Sequence, residues 1–163
     1  MGNLIFGITA LLVLMADQLT KLWISSIIYP GQTLWSFSFF SISLVYNSGA
    51  AFGLFPGQFL PLVIIRSLGA VLVILLVVLM GRRIQSWGGK LVMFALGLVL
   101  AGTIGNLIDQ LRFHYVVDFL DTTYWPVFNV ADSSVVIAMF ILAYLALWPR
   151  KSQKANNKSQ NYS

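Results

Sequence analysis

The chain has 163 residues, of which 58% are hydrophobic and only 9% charged, with a formal net charge of +5, one histidine and no cysteine. That balance excludes an ordinary soluble domain and points to a polytopic membrane protein. Without cysteine there are no disulfides, thiolate nucleophiles or cysteine-held metals, although the redox compartment stays open.

Four stretches meet the requirement of about 20 mostly apolar residues per membrane crossing. They run from Leu4 to Ile27, Phe59 to Met80, Leu91 to Leu107 and Phe128 to Trp148. The first lacks the basic flank and small-residue cleavage site of a secretory signal, so it is expected to be a retained span. Arg82, Arg83 and Lys90 lie between the second and third spans, and Arg150, Lys151, Lys154 and Lys158 follow the fourth. The positive-inside rule places both clusters, and with them both termini, on the cytoplasmic side. The net charge then reads as a topology signal, and no nucleic-acid partner is expected. Residues 1–150 form one expected membrane domain, and 151–163 a polar, disordered cytoplasmic tail able to touch anionic phospholipid headgroups.

Segments 28–58 and 108–127 then face outward. In SFSFFSISLVY, apolar Phe37, Phe39, Ile42 and Leu44 alternate with serines across a slip at Phe39-Phe40. This predicts a strand with one bulge, part of a small sheet on the membrane surface. NSGAAFG follows at 47–53, small residues that let backbone approach a ligand, with Asn47 offering both donors and acceptors. The second outer segment sets Asp118 and Asp121 among five aromatics, with Phe128 just beyond it, of the kind that mark the headgroup level.

All five acidic residues are aspartates. An ionisable group at the centre of a membrane helix costs about 2.5–3.5 kcal/mol on insertion scales, so each is a functional candidate. At 1.5 Å per residue, Asp17 lies roughly 20 Å above the inner end of its span, Asn106 and Asp109 about 22 and 27 Å, and Asp132 about 24 Å above Trp148. All fall in the outer third of a core about 30 Å thick. Asp17 and Lys21 have the i, i+4 spacing of a helical ion pair. Gly97, Ala101 and Gly105 make a stripe for close helix packing, with Asn106 and Asp109 facing inward beside it. Asp121, before two threonines, reads as a turn or cap residue. Asp118 and Asp132 have no local cation, and two carboxyls meeting in a low-dielectric site have their pKa values driven apart, leaving one protonated and one ionised.

Other chemistries fit less well. A zinc protease of the HExxH kind needs two histidines and a glutamate, and the chain has His114 alone and no glutamate. No nucleophile motif supports Ser133 or Ser134. A hard-cation site of Asp109, Asp118, Asp121 and Asp132 is chemically possible, as is a proton or ion translocator, whose carboxylates should spread through the membrane depth.

DQLTK (17–21), NSGAAFG (47–53), GNLID (105–109), VVDF (116–119) and FNVADS (128–133) together resemble, in order and spacing, the bacterial prolipoprotein signal peptidases, signal peptidase II. The resemblance implies an all-α membrane protein: four transmembrane helices with a small periplasmic β-sheet over the outer face. It implies an aspartic endopeptidase of the inner membrane, without cofactor or metal, that cuts prolipoproteins just before a diacylglyceryl-modified cysteine and is inhibited by globomycin. It makes Asp118 and Asp132 the catalytic pair, and Asp17, Lys21, Asn47, Gly49, Asn106, Asp109, Asn129 and Ala131 supporting or substrate-contacting residues. Two positions depart from the family pattern. Gln110 stands where arginine usually follows GNxxD, and His114 where a glycine usually precedes VVDF. Arg112 is the expected replacement for the missing guanidinium.

Overall fold

The computed structural model describes residues 1–49, 58–80, 87–122 and 124–147, with backbone alone for Trp87. Residues 50–53 of NSGAAFG, Arg82 and Arg83, and the tail from 148 lie outside the described residues. Four helices are long and apolar enough to cross a membrane: α1 (Gly2–Ile27), α2 (Phe59–Met80), α3 (Trp87–Phe113) and α4 (Val130–Leu147). The protein is a multi-pass membrane protein with a four-stranded antiparallel sheet at one end of its helices, made of β1 (Thr33–Phe37), β2 (Phe40–Asn47), β3 (Val116–Thr122) and β4 (Trp125–Phe128) in the order β1-β2-β3-β4.

Helix α3 is the centre of the bundle and packs against α1, α2 and α4. Half of its most apolar stretch is buried, against 17% for α1 and α4 and 22% for α2. The outward faces of those three carry Leu11, Leu19, Leu68, Val78 and Phe140, an apolar surface suited to lipid contact. The glycines of α3 allow the close packing. A Cβ on Gly97 would lie 2.8 Å from the Phe6 carbonyl oxygen, and one on Gly105 would lie 2.6 Å from Asp17 Oδ2. One on Gly102 would collide with the Ala131 carbonyl oxygen, so both α1 and α4 approach α3 closely through missing side chains.

The slip at Phe39-Phe40 is a hairpin turn, where a single bulged strand was expected. Phe37 pairs with Phe40, and Ser38 takes a φ of 55°, the positive value a two-residue hairpin needs at its first position. The second outer segment also differs from expectation, because it supplies β3 and β4 to the same sheet. Between Ile42↔Leu120 and Val45↔Asp118, Ser43 and Leu44 of β2 together oppose Phe119, an extra-residue bulge beside Asp118. Asp121 is correspondingly a strand residue, opposite Ser41 and accepting its hydroxyl at 3.2 Å, where a turn was expected. Under the sheet, Ile24, Leu44, Val117 and Phe119 form a buried cluster that joins it to α1.

Helix α3 runs past the expected end at Leu107 to Phe113. It stops at His114, whose φ of 64° is the left-handed conformation of a helix C-terminus and whose N–H reaches the Gln110 carbonyl at 3.0 Å. Glycine suits that conformation best, which gives the departure at position 114 a physical meaning.

Candidate active site

Two polar clusters lie side by side at the sheet end of the bundle. The first centres on Lys21, which is 3% exposed and directs all three donors of its ammonium to partners. Asp17 Oδ2 and Asp109 Oδ2 each lie 2.8 Å from Nζ, and Asn106 Oδ1 lies 3.0 Å away. The carboxylates are satisfied in turn. Asp17 Oδ1 accepts the Ala131 N–H at 2.9 Å, Asp109 Oδ2 accepts the Val117 N–H at 3.2 Å, and the Gln18 amide donates to both acids at 3.1 Å. This cluster ties α1, α3, β3 and the start of α4 together. The i, i+4 pair expected from sequence is present, extended by a second acid.

The second cluster contains Asp118 from β3 and Asp132 from the first turn of α4. Both line one cavity of about 270 Å³, whose wall also includes Asn47, Gly49, Arg66 and Asn106. Asp118 accepts the Asn129 amide at 2.6 Å on Oδ1 and the Asn47 amide at 3.0 Å on Oδ2. Asp132 Oδ1 accepts the Asn106 amide at 2.8 Å. The oxygen of Asn106 lies on Lys21, so that amide carries the electrostatic influence of the first cluster to the second.

Asn129 connects the two carboxyls. It caps α4: its Oδ1 accepts the Asp132 N–H at 2.9 Å, while Asp132 Oδ2 accepts the Asn129 N–H at 3.4 Å, the reciprocal arrangement of a capping box. The same side chain donates through Nδ2 to Asp118, so one amide fixes the helix start against the strand. Asn47 is braced by the Gly49 N–H, which donates to its Oδ1 at 2.9 Å.

Burial in this cavity, followed by repulsion from Asp132, pushes the Asp118 carboxyl up to about 7, against the lowering effect of the Asn47 and Asn129 donors and of Lys21. Asp118 thus holds a proton up to near neutrality with a second carboxyl on the same cavity, which is the electrostatic setting for paired acid and base chemistry. An adjoining groove of about 400 Å³ shares Trp125, Phe128, Asp132 and Val136 with the cavity and is lined chiefly by apolar side chains.

The structure gathers Asp17, Lys21, Asn47, Gly49, Asn106, Asp109, Asn129 and Ala131 around the two aspartates. Arg112 is not brought there. Its exposed guanidinium lies 5.1 Å from the Phe113 ring centre, and it lines a separate cavity of about 130 Å³ bounded by Lys21, Asp109 and Tyr115. The guanidinium at the carboxyl pair comes instead from Arg66 of α2, which the sequence reading missed. Its signal was available: Arg66 is the lone charge in the 22 residues of α2. Nη1 of Arg66 donates to Gln110 Oε1 at 2.8 Å, and Gln110 is fully buried. Among the described residues no group of three or more acids or histidines is placed to hold a metal ion.

A family model described as signal peptidase (SPase) II matches residues 9–148. The lipoprotein signal peptidase of Moorella thermoacetica is 41% identical over 149 residues, 91% of this chain and 96% of the relative. That of Halothermothrix orenii is 37% identical over 145 residues, covering 88% and 95%. A solved structure described as a bacterial membrane enzyme superposes with a TM-score of 0.77 at 26% identity, covering 97% of this chain and 93% of the other. A second with the same description gives 0.75 at 27%, covering 89% and 94%. With a family model matched over most of its length and relatives of this identity and coverage, the chain belongs to the signal peptidase II family and is an aspartic peptidase of the membrane.

Proposed function

We propose that this peptidase cleaves the signal peptide from prolipoproteins just before a diacylglyceryl-modified cysteine, with Asp118 and Asp132 as the catalytic pair. The observation that carries this reading is the shared cavity. Two carboxyls from separate elements face one space, are joined by Asn129, and are surrounded by amide donors. A water held between them loses a proton to the ionised carboxyl as its oxygen bonds to the scissile carbonyl carbon, while the protonated carboxyl donates to the carbonyl oxygen. Collapse of the tetrahedral intermediate breaks the C–N bond and re-forms the carbonyl, the proton taken from water passing to the departing amine while a hydroxyl of the intermediate returns its proton to the carboxylate that had donated it. The two carboxyls titrate as a unit, so the proton belongs to the pair.

The supporting residues follow from their partners. Asn47, Asn106 and Asn129 orient the pair, Gly49 braces Asn47, and Ala131 seats the α4 start on Asp17. The buried Asp17–Lys21–Asp109 cluster holds α1, α3 and β3 in register. The apolar groove beside Asp132 suits the acyl chains of the substrate, which would set the cysteine at a fixed depth and make lipid, more than side chains, the basis of selection. The basic residues at 82–90 and 150–158 support an inner-membrane orientation with both termini cytoplasmic and the sheet on the periplasmic side. The tail from 151 would meet anionic phospholipid there.

The test is a gel-shift assay with purified protein and a diacylglyceryl prolipoprotein, with and without globomycin. Cleavage that requires the lipid and is blocked by globomycin is the expected result. Equal cleavage of the unlipidated precursor would reject the substrate assignment.

A further inference from the structure

Arg66 lies seven residues into α2, roughly 10 Å from the sheet end of that helix at 1.5 Å per residue, in a helix that otherwise presents only apolar and small side chains. A guanidinium at such depth is costly and marks a site by default. Arg66 faces the cavity of the carboxyl pair and interacts electrostatically with Asp132, Asp118 and Asp109. One of its donors is fixed by Gln110 Oε1 at 2.8 Å, and Gln110 is held from its other end by donating to the His114 carbonyl at 3.2 Å. Gln110 thereby fixes one arm of a guanidinium that lines the cavity.

A peptide that enters this cavity carries backbone carbonyls that give up their previous hydrogen-bond partners, and an unsatisfied carbonyl in a low-dielectric site is strongly disfavoured. Arginine has five N–H donors and no acceptor, so it is matched to carbonyl oxygen. We propose that Arg66, braced by Gln110, is a substrate-positioning residue that holds a main-chain carbonyl of the incoming peptide against Asp118 and Asp132. The inference rests on the peptidase reading given above. It gives the α2–α3 contact a role in catalysis: the guanidinium is supplied by one helix and aimed by the other. Because positions 66 and 110 are in direct contact, the charge should be movable from one to the other.

The test compares Arg66→Gln, Arg66→Lys and the exchange Arg66→Gln/Gln110→Arg, measuring kcat and KM for a diacylglyceryl prolipoprotein and thermal unfolding of the purified protein in detergent. Arg66→Gln should raise KM about tenfold or more, the loss expected for a charged hydrogen bond, with unfolding unchanged. Arg66→Lys should be intermediate, since it keeps the charge and loses the fork. The exchange should recover most of the lost kcat/KM. An unchanged KM in Arg66→Gln overturns the inference. So does a loss of activity that tracks a loss of thermal stability and is not restored by the exchange, which would make Arg66 a strut between helices. Asp118→Asn and Asp132→Asn, run in parallel, separate the two levels: inactive aspartate variants beside an unaffected Arg66→Gln reject only the role of Arg66, whereas normal turnover by either aspartate variant rejects the peptidase reading of the pair.

Discussion

The two aspartate pairs at the sheet end share a residue type and a neighbourhood, yet their environments are opposite. Asp17 and Asp109 close on an ammonium whose three donors are all used, with backbone and Gln18 donors taking further lone pairs. Asp118 and Asp132 are held by neutral amides and face a cavity. The first arrangement is a completed buried ion cluster, which fixes geometry. The second leaves negative charge incompletely balanced where a substrate can enter, which leaves a proton available. Buried acids therefore take structural or chemical roles according to who satisfies them.

The comparison is broken most severely at the chemical pair. Asparagine keeps the size of aspartate but neither ionises nor donates a proton of comparable acidity. Asp118→Asn and Asp132→Asn should each lower kcat by about 10²–10⁴-fold, with globomycin binding retained as a sign of folding. The double variant should be little worse than either single one, because residues that act as a unit are non-additive. Initial rates of prolipoprotein cleavage check this.

At the structural cluster the effect should appear first in stability. Lys21→Met leaves two buried carboxylates without their cation, and breaking a buried pair costs about 3–5 kcal/mol. The variant should unfold at lower denaturant or temperature in detergent, and activity should fall with the folded fraction. Unchanged stability would mean that the cluster is not the fixed frame its geometry implies. Lys21→Met with Asp17→Asn and Asp109→Asn should recover part of the loss, since the uncompensated charges are then gone.

A smaller, graded effect sharpens the electrostatic difference. Asp118 is pushed up to about 7 by burial and then by Asp132, while the Asn47 donor favours its ionised form. A proton required in the pair is lost as pH rises through about 7, so kcat should decline on the alkaline side with a midpoint there. Removing the Asn47 amide withdraws stabilisation from the ionised form, so Asn47→Ala should shift that midpoint to higher pH. A shift to lower pH, or none in a folded variant, would show that the Asn47 contact does not govern the proton. The pH–rate profile of kcat gives the answer directly.

Much of this site was legible because membrane sequences restrict where charge can be placed. Helical rise alone put Asp17, Asn106, Asp109 and Asp132 at one level, and the i, i+4 spacing of Asp17 and Lys21 gave their contact. What escaped was whatever depended on long-range pairing. VVDFLDT has no period-two pattern because Val116, Val117, Asp118 and Phe119 are all buried, on both faces of β3. Its pairing with a strand about 70 residues earlier leaves no local trace. The two-residue turn at Ser38 and a one-residue bulge both interrupt the alternation, and sequence could not tell them apart. Arg66 escaped because Arg112 is the arginine near Gln110 in sequence, whereas the contact with Gln110 is made across helices.

Two side chains that the structure sets apart from the pair complete the comparison. Arg112 is exposed over Phe113 and borders the other side of the Lys21 cluster. Arg112→Ala should keep kcat/KM within about threefold, as expected for a substitution away from packed or paired groups; a large loss, partly restored by Gln110→Arg, would return it to the site. Asp121 gives the smallest effect. It is half-buried in β3, shares that strand with Asp118, and accepts the Ser41 hydroxyl at 3.2 Å. Strand geometry sets its role: three residues from Asp118, it lies on the opposite face of β3. Asparagine there keeps an acceptor for Ser41 and the same volume, so stability should change by no more than about 0.5 kcal/mol. Cleavage by Asp121→Asn should stay within about twofold of the parent, which initial rates and thermal unfolding together measure. A tenfold or greater loss in a normally folded variant would show that the chemistry extends along β3 beyond the Asp118–Asp132 pair.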